Sequence, residues 1–110
     1  MNEIKIYIAS KITGEEGYRE KFAAKEKELK EMGYTVMNPA VLPYPGFEHS
    51  EYMHICKAMI DVCDMILLFD NWSDSKGANL EFAYAFEKGK GIWMDEWTTE
   101  MTRKLLWGTT

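Results

Sequence analysis

The sequence predicts an α/β fold in which a small, doubly wound parallel sheet of four to five strands carries helices on both faces. Short β-branched or apolar runs alternate along the chain with longer segments of helical periodicity. Right-handed crossovers between such strands give a parallel sheet that helices cover on both sides. The length of 110 residues suits one domain with a substantial core, and no repeat or linker divides residues 1–110.

The first half of the chain is expected to form two strands and one helix. Ile4–Ala9 (IKIYIA) predicts a buried strand. Thr13 and Glu16 have the T-x-x-E spacing of a capping box, which predicts the start of a helix that Gly33 ends. The apolar residues at helical intervals in this segment are Tyr18, Phe22, Leu29 and Met32. Tyr34–Met37 predicts the second strand.

A long loop follows the second strand. Residues 38–50 read NPAVLPYPGFEHS, and their three prolines and one glycine forbid a regular element. Ordered loops of this length tend to be lids or binding loops, and the alternative is a spacer.

The second half is expected to alternate helices and strands. Glu51–Cys63 predicts an amphipathic helix, and Asp64–Phe69 (DMILLF) a central strand. The loop Asp70–Lys76 leads into a helix over Gly77–Lys88, and Ile92–Met94 is the last strand. The predicted inward faces of the two helices are Tyr52, Ile55, Met59 and Cys63 for the first, and Ala78, Phe82, Ala85 and Phe86 for the second. Gly89 and Gly91 end the second helix, and Trp97–Trp107 predicts a terminal helix.

The composition excludes several classes of protein. An apolar fraction of 46% with 28% charged residues is typical neither of a membrane protein nor of a disordered chain. A net charge of −5, with basic residues scattered among acids, argues against a nucleic acid polymer as partner. The stretch KEKELK at Lys25–Lys30 is interpreted as the solvated face of a helix. We therefore expect neither a membrane nor a nucleic acid polymer as partner.

The cysteines and histidines give no metal framework. Cys56 and Cys63 form no CxxC pair and do not cluster with His49 and His54 at zinc spacing. We interpret them as half-buried core thiols, the alternative being one unusual site shared with the histidines. The first residues, MNEIKIYIAS, contain no secretory leader, so we expect a cytoplasmic protein with reduced thiols and neither metal nor cofactor.

The carboxyl ends of the strands define the expected ligand crevice. These ends are the segments Ala9–Gly14, Asn38–Phe47, Asp70–Gly77 and Met94–Trp97. Ser75, Lys76 and Gly77 would present a hydroxyl and backbone N–H groups at a helix N-terminus, which is an anion-binding arrangement. Ordinary turn chemistry is the alternative, because the G-x-G-x-x-G and P-loop spacings are absent.

Glu81 is the most informative acid in the sequence. It lies about one turn into the helix that begins near Gly77, on a side with small and aromatic neighbours. It is either a helix-start acid that the macrodipole stabilises or a carboxylate nucleophile that points into the crevice.

Four segments carry a family resemblance: IYIAS, NPA, CDMILLF and SDSKGANLEFAYAFEKGK. Together they resemble the nucleoside 2-deoxyribosyltransferase superfamily, in particular a small branch of bacterial and phage proteins. They are also similar to the 2′-deoxynucleoside 5′-monophosphate N-glycosidases. The resemblance extends from Ile4 to about Met94 and implies a flavodoxin- or Rossmann-like sheet. Its most specific part is the S-x-G-x-x-x-E run.

The resemblance implies that Glu81 attacks C1′ of a sugar and expels the base, as a retaining glycosidase does. It also implies that Tyr7 orients this glutamate. The departing base needs a proton, for which Asp70 and Asp74 are the candidates. We assign this role to Asp70, at the end of the third strand.

The resemblance also implies a phosphate-binding set. Ser75 matches a phosphate-contacting serine, Ser10 lies in the loop that closes around the same phosphate, and Lys11 adds charge. The expected substrate-binding residues are Ala9, Ser10, Lys11, Asn38, Ser75 and Gly77. The loop after the second strand would cover the base, with Tyr44 or Phe47 stacking on it.

Two departures from the superfamily pattern affect the expected activity. Cys56 stands where an aspartate usually contacts the sugar, eight residues before Asp64, and a thiol is a weaker acceptor than a carboxylate. Ser75 replaces the aspartate that transferases place six residues before the nucleophile, as in the hydrolases. Because a neighbouring subunit often completes the site in this superfamily, we expect a homodimer or higher homo-oligomer. Trp97 and Trp107 would lie either in that contact or in the core.

Three functions remain open. The first is an N-glycosidase or deoxyribosyltransferase acting on a small-molecule nucleoside or nucleotide. The second is a binding protein that captures a nucleotide or an ADP-ribose-like ligand without cleaving it. Cys56 favours this second function, because losing a positioning group costs catalysis more than affinity. The third is a structural or regulatory module with a vestigial pocket.

Overall fold

The computed structural model of the protein describes residues 3–43 and 45–95, which alternate between strands and helices. The elements are β1 (Lys5–Ala9), α1 (Tyr18–Glu31), β2 (Thr35–Met37), α2 (His49–Asp61), β3 (Met65–Leu68), α3 (Lys76–Glu87) and β4 (Gly91–Met94). The strands form one sheet in the order β2-β1-β3-β4, and every neighbouring pair is parallel. This is the strand order of flavodoxin-like, doubly wound sheets. The predicted fold class is confirmed.

The core consists of two layers on opposite faces of the sheet. Alternate residues of a strand point to opposite faces, so Ile6 and Ile8 of β1 pack with Phe22 and Leu29 of α1. Tyr7, between the two isoleucines, belongs to the other layer, which α2 and α3 cover. The helices therefore lie on both faces, as predicted.

The neighbouring strands β1 and β3 lead into helices on opposite faces of the sheet. The chain leaves β1 toward α1 and leaves β3 toward α3, which opens a crevice at the carboxyl ends of these two strands. β3 lies between β1 and β4, so its prediction as a central strand is confirmed. None of the helices in the described part is both long enough and apolar enough to cross a membrane.

The start of α1 differs from the prediction. Thr13 and Glu16 lie in turns ahead of the helix, which begins at Tyr18. The N-cap is Gly17 at φ 74°, and no side chain caps the helix. The expected capping box is therefore wrong. The predicted stop is confirmed, because Gly33 follows the helix at φ 97°, a conformation that favours glycine.

Three apolar side chains that the periodicity assigned to the helix interiors are exposed. They are Met32 (57% exposed), Ile55 (40%) and Phe86 (70%). The residues that α2 and α3 bury are Tyr52, Met53, Cys56, Ile60, Ala78, Glu81 and Ala85, and of these Tyr52, Ala78 and Ala85 belong to the predicted faces. The two helices also pack against each other, a contact that the prediction of sheet-facing helices does not include.

The segment at residues 38–50 is more regular than predicted. Pro39–Val41 forms a turn of 3₁₀ helix, and α2 begins at His49, two residues before the expected start. The Glu51 side chain accepts a hydrogen bond from the Glu48 N–H at 2.9 Å, which stabilises this earlier start. Three residues with expected roles lie outside the described part: Tyr44, Trp97 and Trp107.

Candidate functional site

A cavity of about 560 Å³ opens at the carboxyl ends of β1 and β3, where the sequence predicts the ligand crevice. Residues 10–13 line one part of it, and the first turn of α2 lines another. Residues 74–78, which lead into α3, line a third part, and Glu81 reaches the cavity from the same helix.

Glu81 is buried, with only 7% of its surface exposed. The fully buried Tyr7 donates a hydrogen bond from its hydroxyl to Glu81 Oε2. Neighbouring elements produce this contact, because β1 directs Tyr7 toward the face that α3 covers. The structure therefore brings together the two residues that the resemblance pairs.

Burial dominates the electrostatics of this pair. It raises the pKa of Glu81 to about 7, while hydrogen bonds from Tyr7 and Cys56 act in the opposite direction. Burial and the nearby Glu81 charge raise the pKa of Tyr7 well above its usual range. The phenol therefore stays protonated near neutral pH, where Glu81 exists in both forms.

Cys56 of α2 is the third member of this buried group. Its side chain is 1% exposed and makes hydrogen-bond contacts with both Tyr7 and Glu81. Burial, followed by the Glu81 charge, raises the pKa of the thiol to about 12, so it is protonated and unreactive as a nucleophile. Cys56 and Cys63 are free and buried. The interpretation as core thiols is confirmed, although both are more deeply buried than expected.

The first turn of α3 forms a polar wall of the cavity. Ser75 caps the helix, and its Oγ accepts a hydrogen bond from the Ala78 N–H at 3.0 Å. Its hydroxyl hydrogen remains able to donate to a ligand. Gly77 adds no side chain to this wall. Lys11 and Lys76 bring positive charge to the cavity lining, and Asp74 brings negative charge.

Ser10 also lies where the sequence predicts it. It lines the cavity, and its Oγ donates to the backbone oxygen of Asp70, which ties together the ends of β1 and β3. Ala9 is buried immediately before this contact and is not part of the lining.

Asp70 lies away from the cavity, contrary to its expected role. Its carboxylate forms an ion pair with Lys21 of α1 at 3.3 Å and is not part of the lining. Asp70 and Asn71 adopt φ angles of 34° and 59°, a left-handed conformation that aspartate and asparagine tolerate better than most residues. Asp74, the other candidate acid, does line the cavity.

Asn38 has a structural role instead of the expected substrate contact. Its Oδ1 accepts from the Ala40 N–H at 2.8 Å, and its Nδ2 donates to Glu26 Oε1 at 2.9 Å. The side chain is buried and does not line the cavity. Phe47 is also outside the cavity and lines a separate shallow groove beside Ile55.

His49 lines the cavity, although the sequence pattern raised it only as a possible metal ligand beside the cysteines. It is the first residue of α2, and Tyr52 and Met53 of the same helix line the cavity with it. The sequence does contain a signal for this position, because His49 begins a helix that follows a loop from the carboxyl edge of the sheet. Within residues 3–43 and 45–95, no three His, Cys, Asp or Glu side chains are grouped as a metal site requires.

Comparison with known proteins gives a family. A family model described as a domain of unknown function (DUF4406) matches residues 4–94, which include all four strands and the cavity residues. No curated protein matches the chain. Because the match covers far more than half of the sequence, the chain belongs to the DUF4406 family.

Proposed function

We propose that this protein is an N-glycosidase or deoxyribosyltransferase that cleaves the N-glycosidic bond of a nucleoside or nucleoside 5′-monophosphate. The observation that carries the proposal is a buried carboxyl, Glu81, that accepts a hydrogen bond from Tyr7 and lines a cavity with a polar helix N-terminus. A carboxylate held in this way suits attack on a sugar carbon that develops positive charge. The resemblance to the nucleoside 2-deoxyribosyltransferase superfamily supports the same chemistry.

The reaction proceeds in two displacements at C1′. Ionised Glu81 forms a bond to C1′ while the bond from C1′ to the base breaks, and the bonding electrons leave with the base. Water then attacks C1′ in hydrolysis, or a second base attacks it in transfer, and Glu81 is released. Tyr7 keeps its proton throughout and fixes the orientation of the carboxylate.

The leaving base needs a proton, and we assign its delivery to Asp74. Asp70, the acid expected from the sequence to have this role, is paired with Lys21 instead. Asp74 lines the cavity at the turn before α3. It is therefore the acid that a base in the cavity can reach besides Glu81.

A second candidate is a protein that binds a nucleotide or an ADP-ribose-like ligand without cleaving it. Cys56 favours this function, because a thiol stands where the resemblance places a sugar-positioning aspartate, and losing a positioning group costs catalysis more than affinity. A carboxyl with a pKa of about 7 is also partly protonated, and thus partly inactive as a nucleophile, at neutral pH.

Chromatography distinguishes the two candidates. Ribo- and deoxyribonucleosides and their 5′-monophosphates are incubated with the unaltered protein, with Glu81→Gln and with Glu87→Gln. Glu87 is the matched control because it is an exposed glutamate of the same helix.

We expect free base from the unaltered protein and from Glu87→Gln, with the rate for Glu81→Gln lower by at least about a thousandfold. Unchanged turnover by Glu81→Gln would remove the nucleophile assignment. Stoichiometric binding with intact nucleotide recovered after denaturation would establish the second candidate instead.

A further inference from the structure

The side-chain amide of Asn79 ties the turn before α3 to the helix itself. Its Nδ2 donates a hydrogen bond to the backbone oxygen of Ser73 at 3.0 Å and another to that of Ser75 at 2.8 Å. These two carbonyl groups belong to the residues on either side of Asp74. A primary amide carries two N–H donors, so one asparagine can bind both carbonyls at once. Asn79 therefore restrains the backbone of Asp74 from both sides.

The turn at residues 72–74 has few backbone hydrogen bonds of its own. It is one turn of 3₁₀ helix, in which the Asp74 N–H bonds to Asn71 O at 3.1 Å and the Ser75 N–H bonds to Trp72 O at 3.0 Å. The residue before the turn, Asn71, has a φ angle of 59° in the left-handed region. A backbone of this kind persists where surrounding contacts hold it in place. The Asn79 amide supplies such contacts.

The carboxylate of Asp74 depends on this backbone for its position. Asp74 is exposed and lines the cavity. Within residues 3–43 and 45–95, no ion pair or hydrogen bond holds its carboxylate. The direction of the carboxylate therefore follows from the conformation of the turn. Asn79 is exposed and is not part of the cavity lining, so it can act on a ligand only through the residues that it restrains.

We infer that Asn79 is a positioning residue that holds the Asp74 carboxyl at the cavity and thereby controls how fast the base departs. The inference rests on the proposed function, in which Asp74 protonates the leaving base. As the bond from C1′ to the base breaks, its electrons pass to the base, which takes the proton of the Asp74 carboxyl. The carboxylate then regains a proton from water. Ligand binding does not need this proton, so Asn79 should affect turnover more than affinity.

The test compares a base that needs a proton with one that does not. Guanosine 5′-monophosphate and 2′-deoxyguanosine 5′-monophosphate carry a base of the first kind. Their 7-methyl derivatives carry a base of the second kind, because the methylated base is positively charged before cleavage and leaves as a neutral molecule. A residue that acts through Asp74 affects the first kind alone, whereas a residue that merely stabilises the fold affects both.

Asn79→Ala removes both N–H donors, and Leu80→Ala is its matched control. Leu80 is the next residue of the same helix, is 44% exposed and does not line the cavity. Hydrogen exchange of the Asp74 and Ser75 amides measures the turn without any turnover, because both amides form hydrogen bonds within it. Melting curves establish that both variants are folded.

We expect Asn79→Ala to lower kcat for the release of guanine by about tenfold or more, and to change kcat for 7-methylguanine by less than about twofold. KM should change by less than about twofold for either kind of substrate. Exchange of the two amides should accelerate by about tenfold or more, because two hydrogen bonds are lost. In the Asp74→Asn protein, Asn79→Ala should have no further effect on the release of guanine. Leu80→Ala should leave all these quantities unchanged.

Two results would overturn the inference. One is unchanged exchange of the Asp74 and Ser75 amides in Asn79→Ala, which decides the positioning role whichever base the protein releases. The other is an equal loss of rate for methylated and unmethylated substrates. Failure of the proposed function looks different, because amide exchange would then accelerate while the unaltered protein released a base from no nucleoside or nucleotide. That result would remove the role of Asn79 in base departure and leave its role in the turn.

Discussion

Glu81 is the residue at which burial and hydrogen bonding oppose each other most strongly. Desolvation favours the protonated carboxyl, whereas Tyr7 and Cys56 favour the carboxylate. Burial has the larger effect, so the pKa lies near 7 instead of the ordinary 4.5. The residue is thus poised to change its charge near neutral pH.

The raised pKa of Glu81 predicts how stability depends on pH. Between pH 4.5 and about 7 the unfolded chain loses the Glu81 proton before the folded protein does, so the free energy of unfolding falls as the pH rises. Glu81→Gln removes this contribution, which amounts to at most about 3 kcal/mol. Urea denaturation at pH 5 and pH 8 should therefore show Glu81→Gln gaining stability relative to the unaltered protein at pH 8. The same change in the free energy of unfolding between pH 5 and pH 8 for both proteins would contradict this prediction.

The same carboxyl predicts the pH dependence of the proposed reaction. Only ionised Glu81 attacks, so kcat/KM should rise with pH through an apparent pKa near 7. Tyr7→Phe removes a hydrogen bond that lowers this pKa, and the rise should move to higher pH. Rate profiles of both proteins from pH 5 to pH 9 measure the shift. If Tyr7→Phe lowers kcat/KM at every pH without changing the apparent pKa, Tyr7 has a purely structural role.

Sequence reasoning placed Glu81 and Tyr7 on elements whose type and order it predicted, and the two side chains meet in the structure. It misplaced Asp70 because the direction of that side chain depends on Lys21, a residue 49 positions earlier, and on a left-handed backbone. Neither the distant ion pair nor the backbone angle leaves a periodic signal in the sequence.

The N-terminal turn of α3 is the element that gives the cavity its polar character. Ser75 caps the helix, while Gly77 keeps the adjacent space open. The φ angle of Gly77 is not in the left-handed region, so the backbone does not itself require glycine. We interpret the glycine as a requirement of the ligand.

Gly77→Ala tests this interpretation. Alanine should leave stability unchanged or raise it by up to about 1 kcal/mol, because glycine is unfavourable within a helix. Its methyl group should occupy the space beside His49 and weaken the binding of a nucleoside 5′-monophosphate. Thermal melting and NMR titration measure the two effects. A loss of stability would show that the fold needs the glycine. Unchanged affinity would show that ligand binding does not need it.

The sequence predicted the presence and type of each α-helix and strand in residues 3–43 and 45–95 better than their ends and faces, and it did not predict the 3₁₀ turn at Pro39–Val41. The T-x-x-E pattern at Thr13 was misleading because the turn at Gly17 separates it from α1. The exposed position of Phe86 follows from the packing of α3 against α2, a contact that the periodicity of one helix does not contain.

In the molecule as a whole, the sheet separates the two core layers from each other. The layer under α1 contains Phe22 and Leu29, while the layer under α2 and α3 contains Tyr7 and Cys56 beside Glu81. Alternation of strands and helices predicted this arrangement. The expected sheet was flavodoxin- or Rossmann-like, and the observed strand order is the flavodoxin-like one. Local patterns do not choose between the two, because pairing between distant strands depends on contacts that they do not specify.

This separation predicts that stability and binding can be changed independently. Leu29→Ala should lower the free energy of unfolding by about 2–5 kcal/mol, because it leaves a cavity in the layer remote from the site. The affinity for a nucleoside 5′-monophosphate should be unchanged under conditions in which the variant is folded. Urea denaturation and ligand titration at low temperature measure the two quantities. A matching loss of affinity would show that the sheet couples the layers.

The alkylation rates of the two buried thiols can measure how often the core layer beside the site opens. Cys56 and Cys63 are the only cysteines of the chain, and both lie in the layer under α2 and α3. An alkylating reagent reaches a buried, protonated thiol only when the structure opens around it. The rate of alkylation at Cys56 therefore reports how often α2 separates from the rest of this layer, and a ligand that contacts both α2 and α3 should slow it.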